Sequence, residues 1–171
     1  MKHIFSFLVL LLLIQPLAAQ QNVDTKKETR LIFVRHAEKM DDGTRNPHLS
    51  DKGKVRANRL ASILQEDFDI TTIYSTDYYR TMETADPLAE QLGLSVRSYG
   101  LQNPDSLMND ILKLHDGEDI LIVGHSNTTP NLVNIVLGEP RFEQLDESDY
   151  SNIFVVLLRE DEFRAFKHLT Y

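Results

Sequence analysis

The chain has no cysteine. Disulfides, thiolate metal sites and cysteine nucleophiles are therefore excluded, and the fold must be held by core packing alone. Tryptophan is also absent, and only 7 glycines and 6 prolines are spread over 171 residues, so collagen-like and low-complexity architectures are excluded as well. No segment repeats. Basic clusters are missing: 18 Lys and Arg stand against 26 Asp and Glu, a formal net charge of -8, which argues against a nucleic-acid partner. No His-Glu-x-x-His or comparable ligand spacing occurs, so no metal is predicted. What remains is ordinary for a globular domain, with 42% hydrophobic and 26% charged residues. A chain of this length has room for one domain that buries roughly 70% of its unfolded surface.

One apolar run stands apart. Residues 4–14 are apolar except for Ser6, follow Lys2 and His3, and precede Pro16-Leu17-Ala18-Ala19. The run is shorter than the about 20 residues that span a bilayer, and its layout is that of a secretory signal peptide. Residues 1–19 are predicted to be that signal, cut after Ala19; 20–29 a polar, flexible leader; and 30–171 a single domain, exported to the periplasm or beyond, with no stable membrane insertion after cleavage.

From residue 30 onward, strand-like and helix-like stretches alternate, the pattern of a layered α/β domain. Strands are predicted at 31–34, 70–74, 94–96 and 119–123, with a hairpin of 153–158 and 163–169 around Glu160-Asp161-Glu162. Ser50 is predicted to cap a first helix. A second, capped by Ser75, Thr76 or Asp77, runs to about Leu92 and stops at Gly93. A third covers 105–115, and a fourth, capped by Ser126 or Asn127, ends at Gly138. The expected architecture is a three-layer α/β/α sandwich with a mostly parallel central sheet and a C-terminal hairpin at its edge.

Two short strings each follow a predicted buried strand: Val34-Arg35-His36-Ala37-Glu38-Lys39 and Val123-Gly124-His125-Ser126-Asn127. In open α/β sheets ligands bind outside the carboxyl ends of parallel strands. Arginine suits a phosphoryl group because its planar fork of donors meets two oxygens at once. Arg35 and Arg80 are the candidates for phosphate binding; Arg80 sits in the helix after the second strand. Two guanidinium groups nearby favour the uncharged imidazole. Neutral His36 can then attack phosphorus and form a phosphohistidine that water hydrolyses. His125 suits a hydrogen bond to a non-bridging oxygen.

These residues resemble the histidine phosphatase superfamily, also called phosphoglycerate-mutase-like. Arg35-His36-Ala37 stands where the family has Arg-His-Gly, and Leu49-Ser50-Asp51-Lys52-Gly53 matches its Leu-Ser/Thr-x-x-Gly element. The stretch from Ser75 through Arg80 to Thr84-Ala85 matches Ser-x-x-x-x-Arg-x-x-x-Thr-Ala, and Gly124-His125 matches the second histidine element. The resemblance implies that His36 is the nucleophile, that Arg35, Arg80 and His125 bind phosphate, and that no cofactor is needed. It also marks two departures. Ala37 replaces glycine, and the usual positions of the general acid are not acidic: no Glu lies between Gln91 and Glu118, and Ser126 follows the second histidine. Asp105 and Glu38 are the candidate acids, Asp105 by its place after the third strand and Glu38 by its nearness to His36.

Glu83 is expected to form a local helix ion pair or support Arg80, and Tyr78 and Tyr79 to pack or line the rim. His48, His115 and His168 read as structural or solvent-facing. The leading expectation is an exported phosphatase acting on small phosphomonoesters. A phosphohistidine-protein phosphatase and a non-catalytic phosphate-binding member are the alternatives. A mutase is disfavoured because such relatives carry larger insertions around the pocket. No obligate protein partner is evident in the sequence.

Overall fold

A computed structural model describes residues 27–160 and 162–171. The predicted signal peptide and residues 20–26 of the predicted leader lie outside these residues; Glu28 and Thr29, assigned to the flexible leader, instead pair with Arg159 and Leu158 and open the first strand. Chain order is β1 (Glu28–Arg35), α1 (Asp51–Asp67), β2 (Ile70–Thr76), α2 (Tyr79–Leu92), β3 (Val96–Tyr99), α3 (Pro104–Leu114), β4 (Asp119–Gly124), α4 (Thr128–Leu137), β5 (Asn152–Arg159) and β6 (Glu162–Thr170). The strands form one six-stranded sheet in the order β3-β2-β4-β1-β5-β6. The first four in that order pair in parallel, and β5 is antiparallel to both β1 and β6.

This order places the site. From β1 the chain moves toward β2 and β3 in one direction, then reverses to reach β4 and β5. Right-handed crossovers in opposite directions must lie on opposite faces of a sheet. Accordingly α1 and α2 cover one face and α3 and α4 the other. Helices leave the neighbouring strands β1 and β4 toward opposite faces, which opens a crevice at their carboxyl ends. His36 and His125 directly follow those two ends.

Period-two alternation builds the two cores. Ile32, Val34, Leu121, Val123, Ile153 and Val155 pack against Leu60, Leu64, Ala85 and Leu88. Their neighbours Leu31, Phe33, Ile120, Ile122, Phe154 and Val156 pack against Met108, Ile111, Leu132 and Val133. β1, β4 and most of β5 are buried on both faces, which is why they read as continuous apolar runs.

Helix ends follow the sequence signals in part. The Ser50 side chain accepts the Gly53 N–H and caps α1. Gly93 and Gly138 take left-handed φ values of 66° and 71° at the ends of α2 and α4. Each closes a Schellman pair: Leu94 N–H to Ala89 and Gly93 N–H to Glu90, then Glu139 N–H to Asn134 and Gly138 N–H to Ile135. The start of α2 differs from expectation. Its N-cap is Tyr78, without a side-chain cap bond, because Thr76 spends its hydroxyl on Thr81 and His125. At α4 the N-cap is Asn127, again without a side-chain bond, and the Ser126 hydroxyl goes to Glu147. The third strand starts at Val96 rather than 94, since Leu94 belongs to the helix stop and β3 pairs in register from Ile73↔Val96 to Thr76↔Tyr99. Among the described residues, no helix is long and apolar enough to cross a membrane.

Candidate active site

Four side chains meet at the crevice. The His36 N–H donates to the Gly124 carbonyl at 3.0 Å, so the turn after β1 is tied to the end of β4. Thr129 Oγ1 adds a bond to the Val34 carbonyl at 3.1 Å. The His36 and His125 rings meet edge to face with centroids 5.5 Å apart. From α2, Thr84 Oγ1 accepts the Ala37 N–H at 2.9 Å and donates to the Arg80 carbonyl at 2.6 Å. That hydroxyl links the nucleophile loop to the turn carrying Arg80, and gives the threonine of the second motif its physical role.

The imidazole tautomers follow from their partners. His36 Nδ1 lies 2.7 Å from the Ala37 carbonyl, which can only accept, so Nδ1 carries the proton and Nε2 keeps its lone pair. Burial, with His125, Arg35 and Arg80 adding to it, pushes His36 down from its ordinary 6.5 to about 3 against the opposing Ala37 bond. The ring is neutral and nucleophilic at neutral pH. His125 is pushed down to about 4 by burial, then by Arg80 and Arg35. Arg80 Nη2 donates toward His125 Nδ1 at 3.4 Å, so Nε2 carries the proton and donates to Thr76 Oγ1 at 2.9 Å.

The arginines are placed for an anion. Arg80 leans over the Tyr78 ring at 4.5 Å, and its Nε and Nη1 are buried without a hydrogen-bond partner in the protein. Arg35 is 1% exposed and its Nε is likewise unpartnered. Buried N–H groups left unpaired are costly, and an oxyanion between these forks relieves that cost. A cavity of about 340 Å³ opens here, lined by His36, Lys39, Tyr78, Arg80, Leu101, His125, Ser126, Asn127 and Glu147. No group of three or more His, Cys, Asp or Glu among the described residues could hold a metal ion.

The candidate acids stand elsewhere. Glu38 turns away from the cavity toward α1, accepting from Arg56 Nε at 2.8 Å and Nη2 at 2.9 Å, with Lys52 3.2 Å away. Burial raises its carboxyl, but the bonds from Arg56 and Lys52 outweigh that and hold it below the ordinary value. It is an ion-paired brace for the loop that follows β1. Asp105 lies exposed in the first turn of α3, an acidic residue at a helix N-terminus, and does not line the cavity. Glu147 does line it, and no local period or motif pointed to it. Tyr150, whose ring lies 4.2 Å from the Arg35 guanidinium carbon, was equally unmarked.

Other residues resolve simply. Ala37 is buried against Leu49 and Ala57 and does not adopt a left-handed φ, so the missing glycine is no obstacle. Glu83 supports the 40–49 loop, accepting the Leu49 N–H at 2.7 Å and pairing with His48, which stacks on Tyr79. His115 is a buried structural residue bonded to Tyr74 and Glu118.

Residues 31–99 match the model of the histidine phosphatase superfamily, branch 1. Among curated proteins, none is similar enough in sequence to count as a match. Solved structures share the fold. A phosphoserine phosphatase of Entamoeba histolytica, in complex with phosphoserine, superposes with a TM-score of 0.63 at 17% identity, over 81% of this chain and 96% of that one. A mycobacterial glucosyl-3-phosphoglycerate phosphatase gives 0.66 at 15% identity, over 85% and 99%. An Agrobacterium tumefaciens protein provisionally assigned as the phosphohistidine phosphatase SixA gives 0.61 at 16%, over 83% and 98%.

Proposed function

We propose that this protein is an exported phosphatase that hydrolyses small phosphomonoesters through a phosphohistidine on His36. One observation carries the reading: a neutral imidazole with a free Nε2 lines a cavity where two buried Arg80 nitrogens have no partner in the protein. In the first half-reaction the Nε2 lone pair forms the N–P bond as the P–O bond to the leaving group breaks. Arg80 and Arg35 neutralise the phosphoryl oxygens, which repel any nucleophile while unscreened. In the second, water attacks phosphorus, and the N–P electron pair returns to Nε2. Export rests on the amino-terminal sequence alone and predicts a mature chain starting near Gln20 outside the cytosol.

Rapid quench with a radiolabelled aryl phosphate tests the chemistry. Acid-labile label on the unsubstituted chain and none on His36→Ala is expected; full activity in His36→Ala contradicts the reading. A second reading, action on phosphohistidine in a protein, draws support from the likeness to the Agrobacterium protein. It predicts faster turnover of a phosphorylated histidine-containing protein than of any phosphomonoester.

A further inference from the structure

The connector between α4 and β5 delivers the one carboxylate, among the described residues, that lines the cavity. Glu147 Oε1 accepts the Ser126 hydroxyl at 2.6 Å, and Oε2 accepts from Arg35 Nη2 at 2.7 Å. Gln144 Nε2 approaches Oε1 at 3.4 Å. The backbone on both sides is pinned by the same guanidinium: Arg35 Nη1 donates to the Asp146 carbonyl at 2.7 Å and to the Asp149 carbonyl at 2.9 Å. Arg35 therefore fixes the segment that carries Glu147 as well as touching its carboxylate. The Glu147 side chain is 66% exposed and lines the same cavity as His36. A leaving group departs on the side of phosphorus opposite His36.

Charge decides what Glu147 does when a phosphoryl group arrives. The Ser126 bond and the Arg35 charge hold it below the ordinary carboxyl value. A phosphoryl dianion needs the same Arg35 fork and brings like charge beside the carboxylate. Like charge beside the carboxylate opposes that lowering and raises its affinity for a proton, so substrate entry favours the form that can protonate a leaving oxygen.

We propose that Glu147 is the general acid and base of the transfer, an assignment that rests on the phosphatase reading above. As His36 Nε2 bonds to phosphorus and the P–O bond breaks, the carboxyl proton passes to the leaving oxygen. As water attacks, its proton passes to the Glu147 carboxylate, the N–P bond breaks and phosphate leaves with its charge balanced. The acid comes from the connector before β5, because Glu147 lines the cavity and neither Glu38 nor Asp105 does.

The test compares the unsubstituted chain with Glu147→Gln on an aryl phosphate with a good leaving group and on an alkyl phosphate with a poor one. Glutamine keeps one oxygen to accept from Arg35, and its amide can donate to the Ser126 hydroxyl oxygen, but it has no acidic proton to give. The expected loss is about 10²- to 10³-fold on the alkyl ester and under about tenfold on the aryl ester, with His36 still labelled. Ser126→Ala, which loosens Glu147 without removing it, shows a smaller loss with the same ordering. Equal losses on both esters overturn the assignment. So does faster turnover with stronger inhibition by inorganic phosphate, which marks a carboxylate that only obstructs the site. With His36 labelled, either result removes this assignment alone; no label in the unsubstituted chain removes the phosphatase reading and this assignment with it.

Discussion

Arg35 and Arg80 look interchangeable in the sequence and differ in the structure. Arg80 projects from the first turn of α2 with two nitrogens uncommitted, while Arg35 spends Nη1 on two carbonyls and Nη2 on Glu147. Replacing Arg80 by Ala removes transition-state charge stabilisation and little structure. The expected result is a fall in kcat of about 10²- to 10³-fold with a melting temperature close to that of the unsubstituted chain. Arg35→Ala is expected to lose both, because it also removes the hydrogen bonds to the Asp146 and Asp149 carbonyls, at about 0.5–1.5 kcal/mol each. Steady-state kinetics beside thermal melts separate the two. Arg35→Lys does not restore function, since a single ammonium cannot serve two carbonyls, a carboxylate and a phosphoryl oxygen in one plane.

Among the elements, α1 acts on the site at one remove. An added Cβ at Gly53 would sit 2.1 Å from the Glu38 carbonyl oxygen, which also accepts the Ser50 N–H at 2.9 Å. The glycine of the Leu49-Ser50-x-x-Gly53 element is therefore a seat for the backbone two residues past the nucleophile. Gly53→Ala is expected to cost about 1–3 kcal/mol, the range for overpacking a tight contact. Differential scanning calorimetry should show a melting temperature lower by several degrees; an unchanged value would show that α1 does not press on this loop. The elements were legible because their signals are local: short apolar runs for the strands, Ser50 for one cap, Gly93 and Gly138 for two stops. The start of α2 was not legible, because Thr76 has a partner, His125, that no sequence window contains. Glu147 escaped notice for the same reason. Its place is set by the carbonyls that Arg35 holds, in a segment more than a hundred positions away that shows no periodicity. Asp105 had the right place in chain order, but the first turn of α3 leaves it in solvent.

For the whole molecule, bringing two histidines and two arginines together at the crevice between β1 and β4 has a cost that depends on pH. Both imidazoles titrate at about 3 and about 4 in the fold, against 6.5 ordinarily, so the unfolded chain binds protons first. Stability is then complete above pH 6.5 and falls as pH drops, by up to about 1.4 kcal/mol per unit for each histidine. Both contribute until about pH 4, and His36 alone until about 3. Urea unfolding at pH 7, 6 and 5 should show this decline, and His36→Asn should make it shallower. A decline of equal slope in the variant would mean that the ring is not held neutral. A mostly parallel sheet with an edge hairpin was readable from the order of apolar runs, whereas the strand order and the protonation of what fills the crevice needed the contacts themselves.

The most direct measurement is the site of phosphorylation on the His36 ring, read by NMR of the trapped intermediate at alkaline pH. Because the Ala37 carbonyl occupies Nδ1, phosphorus should appear on Nε2 of His36 and on no other imidazole. Phosphorus on Nδ1, or on His125 instead, would contradict the account at its root.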